Sequence, residues 1–311
     1  MPQRTFFPSN DADLHPTARS RRGTLKATAA LLALVPVLVA CGGNGDRKQV
    51  TASGQEHLND RKDVDINEAL SSLETEHSAT ISLAVYNHKE DKTFLHHANE
   101  WSYEASIVKV PIALTLLRRA VFEQRTLTEE EKALIEAAIS FSDNSSTTEI
   151  FRQIGTTGPG ADSEASSQSL NKTYELLGAT MTRSEGTWGN NQTWAEDYVK
   201  IMRFIVEDIH WINKTDAEYL LETMDPHGWS QLWGVGSQKD QTAFGKQVQQ
   251  VSVKNGWIQD ETGTWYVNSV GVVRTEDNTF SIALLSHGFN DVNIGYEVAS
   301  KAVQAYFDHA G

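Results

Sequence analysis

Strand-like runs stand at both ends of this chain, and helix-like runs fill its middle. Ile81, Leu83 and Val85 alternate with Ser82, Ala84 and Tyr86, a strand pattern, and 93–97 reads as its hairpin partner. Thr128 with Glu131 three positions on forms a capping box for a helix reaching about Ser140. Further helices fit 147–154, 168–177, 194–209 and 216–224, and one precedes the first strand at 66–76. Strands return at 248–253, 264–274 and 280–286 as an antiparallel meander. Val298, Ala302, Val303 and Tyr306 then stripe a terminal helix. Runs of strands separated from runs of helices predict an α+β class rather than alternating βαβ units.

Three short motifs punctuate this pattern: Ser106-Ile107-Val108-Lys109, Ser142-Asp143-Asn144 and Lys254-Asn255-Gly256. Each alone is weak, since an S-x-x-K is expected by chance about once in a chain of this length. Taken singly they read as an N-cap serine, a capped loop and a strand end. Their chemistry is coherent when read together. Residues three apart share one helix face, so Lys109 can reach Ser106. A helix N-terminus supplies free N–H groups to an oxyanion. A serine hydroxyl is a poor nucleophile until a base takes its proton, and a buried lysine near a second cation, here Lys254, has the lowered pKa this needs. Pro111 falls early in the apolar run Val110, Ile112, Leu114, Leu116 and Leu117, where a helix tolerates proline.

In this order the motifs match the S-x-x-K, S-D-N and K-T-G signature, and the chain resembles class A β-lactamases and penicillin-binding proteins over most of its mature length. The resemblance implies an antiparallel sheet flanked by N- and C-terminal helices, with a shortened all-α lobe inserted after the second strand. It implies Ser106 as nucleophile, Lys109 as its base and Ser142 as proton relay to the leaving nitrogen. Asn144 would hold a substrate amide, Lys254, Asn255 and Gly256 would bind its carboxylate side, and Ser106 and Trp257 would lend the N–H groups of an oxyanion hole. The substrate implied is a small β-lactam or a peptidoglycan peptide, with no cofactor or metal. The chain departs from the pattern in three places. Ser142 follows Ser106 by only 36 positions; Asn255 replaces a threonine or serine; and the loop Thr182-Arg183-Ser184-Glu185-Gly186-Thr187-Trp188-Gly189-Asn190-Asn191 keeps the R-x-E half of R-x-E-x-x-L-N and lacks the rest. Glu185 is thus the candidate deacylation base, and the eroded loop implies slow deacylation. A D-alanyl-D-alanine peptidase on the same site, or a non-catalytic cell-wall-binding lipoprotein on the same fold, are the rival readings.

The first 40 residues read as a targeting segment. Ser20-Arg21-Arg22-Gly23-Thr24-Leu25-Lys26 resembles a twin-arginine export motif, with Thr24 where phenylalanine is usual. The apolar stretch 27–40 has signal-peptide length and ends Leu38-Val39-Ala40-Cys41, which resembles a lipobox. Cys41 is the only cysteine, so no intramolecular disulfide is possible, and lipidation there would hold the protein on the extracytoplasmic face of a bacterial membrane. Residues 41–64, with Gly42-Gly43-Asn44-Gly45-Asp46, read as a flexible tether, and 65–311 as the folded domain, expected to be a monomer. Removing 1–40, with its five Lys+Arg and two acids, takes the net charge from −14 to −17, which argues against nucleic-acid partners.

Other residues carry less. The ten histidines show no H-E-x-x-H or other metal spacing, and His96 and His97, adjacent on a strand, are expected on opposite faces as surface or packing residues; with the one cysteine assigned to the lipobox, no zinc site is expected. Trp229 and Trp233 read as loop packing ahead of the Lys254 strand, and Gly234-Val235-Gly236 is a lone G-x-G with no phosphate-loop context.

Overall fold

The structure, a computed structural model, describes residues 53–155, 162–207 and 210–310. The export segment and Cys41 lie outside the described residues. Helix α1 runs Ser53–His77 and so begins inside the stretch expected to be a tether. Lys62 Nζ donates to Ala310 O (3.2 Å) and Asp63 pairs with Lys92 (3.0 Å), which makes 62–63 part of the folded body. A polar helix face looks like a linker in sequence because polarity alone does not separate a solvated helix from a coil.

Strands β1 (Thr80–Asn87) and β2 (Lys92–His96) form the expected hairpin. The meander returns as β6 (Lys246–Gln259), β7 (Trp265–Thr275) and β8 (Thr279–Phe289), and β8 pairs with β1. With the short β5 (Thr242–Ala243), the antiparallel sheet has the order β2-β1-β8-β7-β6-β5. A separate ribbon pairs β3 (Trp101–Tyr103) with β4 (Gln192–Trp194); neither was expected from sequence, each being three residues long. Between β3 and β5 lie α2 (Lys109–Phe122), α3 (Glu129–Ser140), α4 (Asn144–Gly155), α5 (Ser163–Leu176), α6 (Ala195–Val206) and α7 (Lys214–Thr223). Helix α8 (Val292–His309) closes the chain. The Thr128–Glu131 capping box forms as expected, with Thr128 Oγ1 accepting from Glu131 N and Glu131 Oε2 from Thr128 N.

The sheet is buried on both faces. On β1, Ile81, Leu83 and Val85 pack with Ile66 and Leu70 of α1 and Val298, Ala302, Val303 and Tyr306 of α8. Ala84 and Tyr86 face the other way, joining Val270, Val272, Ala283 and Leu285 against the helical lobe. Alternation in β1 thus divides two cores rather than core from solvent, and even Ser82 is buried. Helix α2 runs through the lobe with Val110, Ile112, Leu114, Leu116 and Leu117 fully buried. Each such side chain contributes about 1.5–3 kcal/mol of hydrophobic stabilisation. This anchors the N-terminal end of α2, where the candidate site lies.

One expected geometry fails. His96 and His97 do not point apart; their rings stack with centroids 4.0 Å apart. His97 adopts a φ of 47°, which ends the strand and swings its ring back onto that of His96. Two-fold alternation holds only while the backbone stays extended.

Candidate active site

Ser106 sits in a 3₁₀ turn, Ala105–Val108, that runs straight into α2. Ala105 is held at a φ of 47°, a conformation that costs a non-glycine residue energy. Flanking contacts secure it. Ala105 N donates to Gly189 O (2.6 Å) and Glu104 N to Asn191 O (2.9 Å). On the other side, Asn268 of β7 donates from Nδ2 to Tyr103 O (2.6 Å) and accepts from Ser102 Oγ (2.9 Å). The turn therefore hangs between the 182–191 loop and the sheet.

Lys109, one turn on, is 1% exposed. Its Nζ donates to Ser142 O (2.7 Å), Ser142 Oγ (3.1 Å) and Asn144 Oδ1 (2.8 Å), so an ammonium there has all three donors paired. The Trp188 ring lies 5.5 Å from the same nitrogen. Burial lowers the Lys109 pKa to about 7, against the opposing pull of Asp143. When Lys109 is neutral it has only two protons and a lone pair, and the Ser142 hydroxyl is the one partner that can reverse and donate. None of the three bonds reaches Ser106, although the shared turn keeps the two residues adjacent along the backbone.

Ser142 joins α3 to α4 in a left-handed conformation (φ 55°). Asp143 then caps α4: its Oδ1 accepts from Ser146 N (2.6 Å), which holds its carboxyl below the usual range. That cap faces the Asn144 side chain toward Lys109.

Lys254 lies on β6, fully buried, and donates from Nζ to Asn255 O (2.9 Å). Burial, with the charge of Lys109 adding to it, drives its pKa well below the ordinary lysine value. The lowered pKa of Lys109 itself comes from burial, as expected of a buried lysine, while the repulsion between the two lysines acts on Lys254. Gly256 is where β6 meets the Ser106 turn. A Cβ there would stand 2.6 Å from Ser106 N and 2.8 Å from Ile107 N, so only glycine lets the strand approach this closely. Val253 N and Asn255 N both point off the free edge of β6, to Met224 O and Gln231 Oε1. Backbone alternation turns the Trp257 N–H to that same edge, beside the Ser106 turn.

Two expected site residues fall elsewhere. The Asn255 side chain faces away from Lys109 and is fully engaged: Nδ2 donates to Trp233 O (3.0 Å) and Ser230 O (3.3 Å), and Oδ1 accepts from Ser269 Oγ (2.6 Å). It fastens the 229–238 loop to the sheet and has no donor left for a substrate carboxylate. Asn255→Ala is expected to destabilise the protein by about 1–3 kcal/mol in urea denaturation, because buried carbonyls lose their donor; an unchanged midpoint would contradict this. Glu185 is exposed on its loop, with its backbone N donating to Asn191 Oδ1 (3.3 Å). The loop keeps the R-x-E half of the R-x-E-x-x-L-N pattern and lacks the rest.

The buried carboxylate of this region is one the sequence did not mark. Glu104, two residues before Ser106, is fully buried and accepts from Tyr174 Oη, Tyr198 Oη (2.8 Å) and Asn191 Nδ2 (3.1 Å). Burial raises its pKa to about 7 although all three donors favour the carboxylate. No spacing rule links 104 to 174, 191 and 198; only folding assembles them. Trp229 is 70% exposed, whereas Trp233 is buried and stacks on Tyr296 at 4.5 Å.

No family model matches the chain, and no curated protein matches it in sequence. Solved structures do match. A class A β-lactamase from Bacteroides cellulosilyticus superposes with a TM-score of 0.65 at 14% identity, over 80% of this chain and 98% of the other. The fold is β-lactamase-like. β-Lactamases from Sphaerobacter thermophilus (TM-score 0.63, 16% identity, 78% of this chain and 95% of the other) and Streptosporangium roseum (0.63, 16%, 79% and 98%) agree. In this β-lactamase-like frame, Ser106, Lys109, Ser142, Asn144, Lys254 and Gly256 converge where the lobe meets the sheet, with the Trp257 N–H beside them.

Proposed function

We propose that the protein is an extracytoplasmic serine acyl-enzyme that opens β-lactams or related amides through an ester on Ser106, with slow deacylation. The observation that carries this reading is the hydrogen bonding of a buried, low-pKa Lys109 to Ser142 one turn from a Ser106 seated against Gly256. Neutral Lys109 takes the Ser106 proton as Oγ attacks the carbonyl carbon. The oxyanion rests between the N–H groups of Ser106 and Trp257. Ser142 passes its proton to the leaving nitrogen and regains one from Lys109, while Asn144 holds the substrate amide and a substrate carboxylate, when bound, keeps Lys254 protonated and is held by it. A hydrolytic water then has no Glu185 to activate it, which supports persistence of the ester and makes a penicillin-binding peptidase the second reading.

Intact-protein mass spectrometry after exposure to a penicillin and a cephalosporin tests the proposal. One lasting β-lactam mass, mapped to Ser106 and absent in Ser106→Ala, is expected. An adduct at another residue sinks the assignment, rapid turnover without an adduct marks a competent β-lactamase, and no reaction at all leaves a non-catalytic cell-wall binder. Glu185→Gln is expected to change deacylation by less than about twofold, well under the ~10²–10⁴-fold worth of a catalytic base; a trapped adduct would restore Glu185 to the mechanism.

The protein is further proposed to be lipid-anchored through Cys41, on the strength of the Leu38-Val39-Ala40-Cys41 sequence. Among the described residues no helix is long and apolar enough to cross a membrane. Cys41→Ala is expected to abolish membrane partitioning in cell fractionation. Unaltered partitioning would refute the anchor.

A further inference from the structure

The stacked histidines at the end of β2 meet an acid from the last turns of α1. Glu74 Oε1 lies 3.0 Å from His97 Nδ1, and Glu74 Oε2 lies 3.5 Å from His96 Nε2. The ligand atoms of the three residues all fall within 4.8 Å of one another. Ligands of a tetrahedral zinc ion with bonds of 2.0–2.1 Å stand about 3.3 Å apart, so a small rotation of the half-exposed His97 closes the set.

His96 carries the decisive detail. It is 3% exposed, and its Nε2 has no hydrogen-bond partner. The proton on its other nitrogen is fixed by a chain of bonds. Asn67 Nδ2 donates to Asp63 O (2.6 Å), which orients the amide so that Oδ1 faces His96 Nδ1 at 2.6 Å. A carbonyl oxygen only accepts, so Nδ1 carries the proton and Nε2 of the neutral ring presents a lone pair. That lone pair faces the Glu74 carboxylate in a buried place, an arrangement of two acceptors that a shared cation would relieve. An outer acceptor that fixes the tautomer and aims the other nitrogen inward is also how metal-binding histidines are held.

We propose that Glu74, His96 and His97 form a binding site for a divalent transition ion of the zinc class, clipping α1 to β2. Two imidazoles and one carboxylate suit Zn²⁺, with a fourth position left to solvent water on the His97 side. Glu74 Oε1 also accepts from Ile81 N (2.8 Å), which leaves Oε2 as the ligand atom nearest His96. Neither α1 nor β2 contributes a residue to the Ser106 site, so the ion would serve the scaffold.

The test uses the full, untagged chain stripped of metal, titrated with Zn²⁺ against a chromophoric chelator and melted with and without Zn²⁺. One Zn²⁺ per chain and a Zn²⁺-dependent rise in Tm are expected. Asn67→Ala should weaken uptake about 10–100-fold, the usual effect of losing an outer partner. His97→Ala, which removes an exposed ring and so leaves folding intact, should abolish both uptake and the Tm rise. Absence of saturable uptake, or uptake that His97→Ala and Asn67→Ala leave unchanged, overturns the site. So does a Tm that responds to pH and not to Zn²⁺, since a proton alone would then fill the gap.

Discussion

Lys109→Ala is expected to slow acylation of Ser106 by about 10²–10⁴-fold, the range over which a positioned proton acceptor acts. In the proposed mechanism Lys109 receives the proton of Ser106 and hands one to Ser142, to which it is hydrogen-bonded at 3.1 Å. In the unaltered protein acylation should rise with pH through about 7, as burial makes Lys109 neutral near that value. Lys109→Arg keeps the charge and cannot be deprotonated, so it should be inactive across that range. A wild-type rate for either variant would remove Lys109 from the mechanism. Stability should respond in a related way. The native pKa lies near 7 and the unfolded value near 10.5, so between them the unfolded state binds more protons and stability rises with pH. The span corresponds to a penalty on the order of 5 kcal/mol for keeping the ammonium buried at lower pH. Lys109→Ala should flatten that rise in Tm. Glu104 acts with the opposite sign below neutrality: its raised native pKa means that the folded state holds a proton the unfolded state has lost, so stability falls as pH rises from about 4.5 to about 7.

Gly256→Val should be nearly as damaging by a steric route. The atoms a Cβ would meet at 2.6 and 2.8 Å are the backbone nitrogens of Ser106 and Ile107, which cannot swing aside as a side-chain tip can. Relief requires β6 to withdraw or the Ser106 turn to shift, and a displacement of about 1 Å at a reacting group costs about 10²-fold in rate. Loss of labelling by at least that factor is expected, with a destabilisation of about 1–3 kcal/mol from overpacking. Gly256→Ala should show the same trend in stopped-flow acylation and chemical denaturation. Normal labelling in Gly256→Ala would mean that β6 is not seated against the turn in solution.

Much of the architecture was legible along the chain because it is written in local periodicity. The β1–β2 hairpin, the capped helix α3, the three-strand meander and α8 all follow from alternation, a capping box or a helical stripe within one segment. What escaped was short or polar. Strands β3 and β4 offer three residues each, too few for a period, and the start of α1 hides in a tether-like composition. The site divides similarly. Ser106, Lys109, Ser142, Lys254 and Gly256 were marked by motif, and folding brings them together. Asn255 shares its motif with Lys254, yet adjacent residues on a strand face opposite ways, so folding spends its amide on the 229–238 loop.

The sequence by itself determined the order of the longer elements and the residue types available for acyl transfer, since these depend on near neighbours. The tertiary structure alone decided which charges are buried and what they touch. Burial of Lys109 and Lys254, exposure of Glu185, the enclosure of Glu104 by Tyr174, Tyr198 and Asn191, and the turn of His97 onto His96 each depend on contacts between residues far apart in the chain or on one local φ. Desolvation, hydrogen bonding and ring orientation are properties of a three-dimensional environment, and no pattern of residue types encodes them until the chain has closed around them.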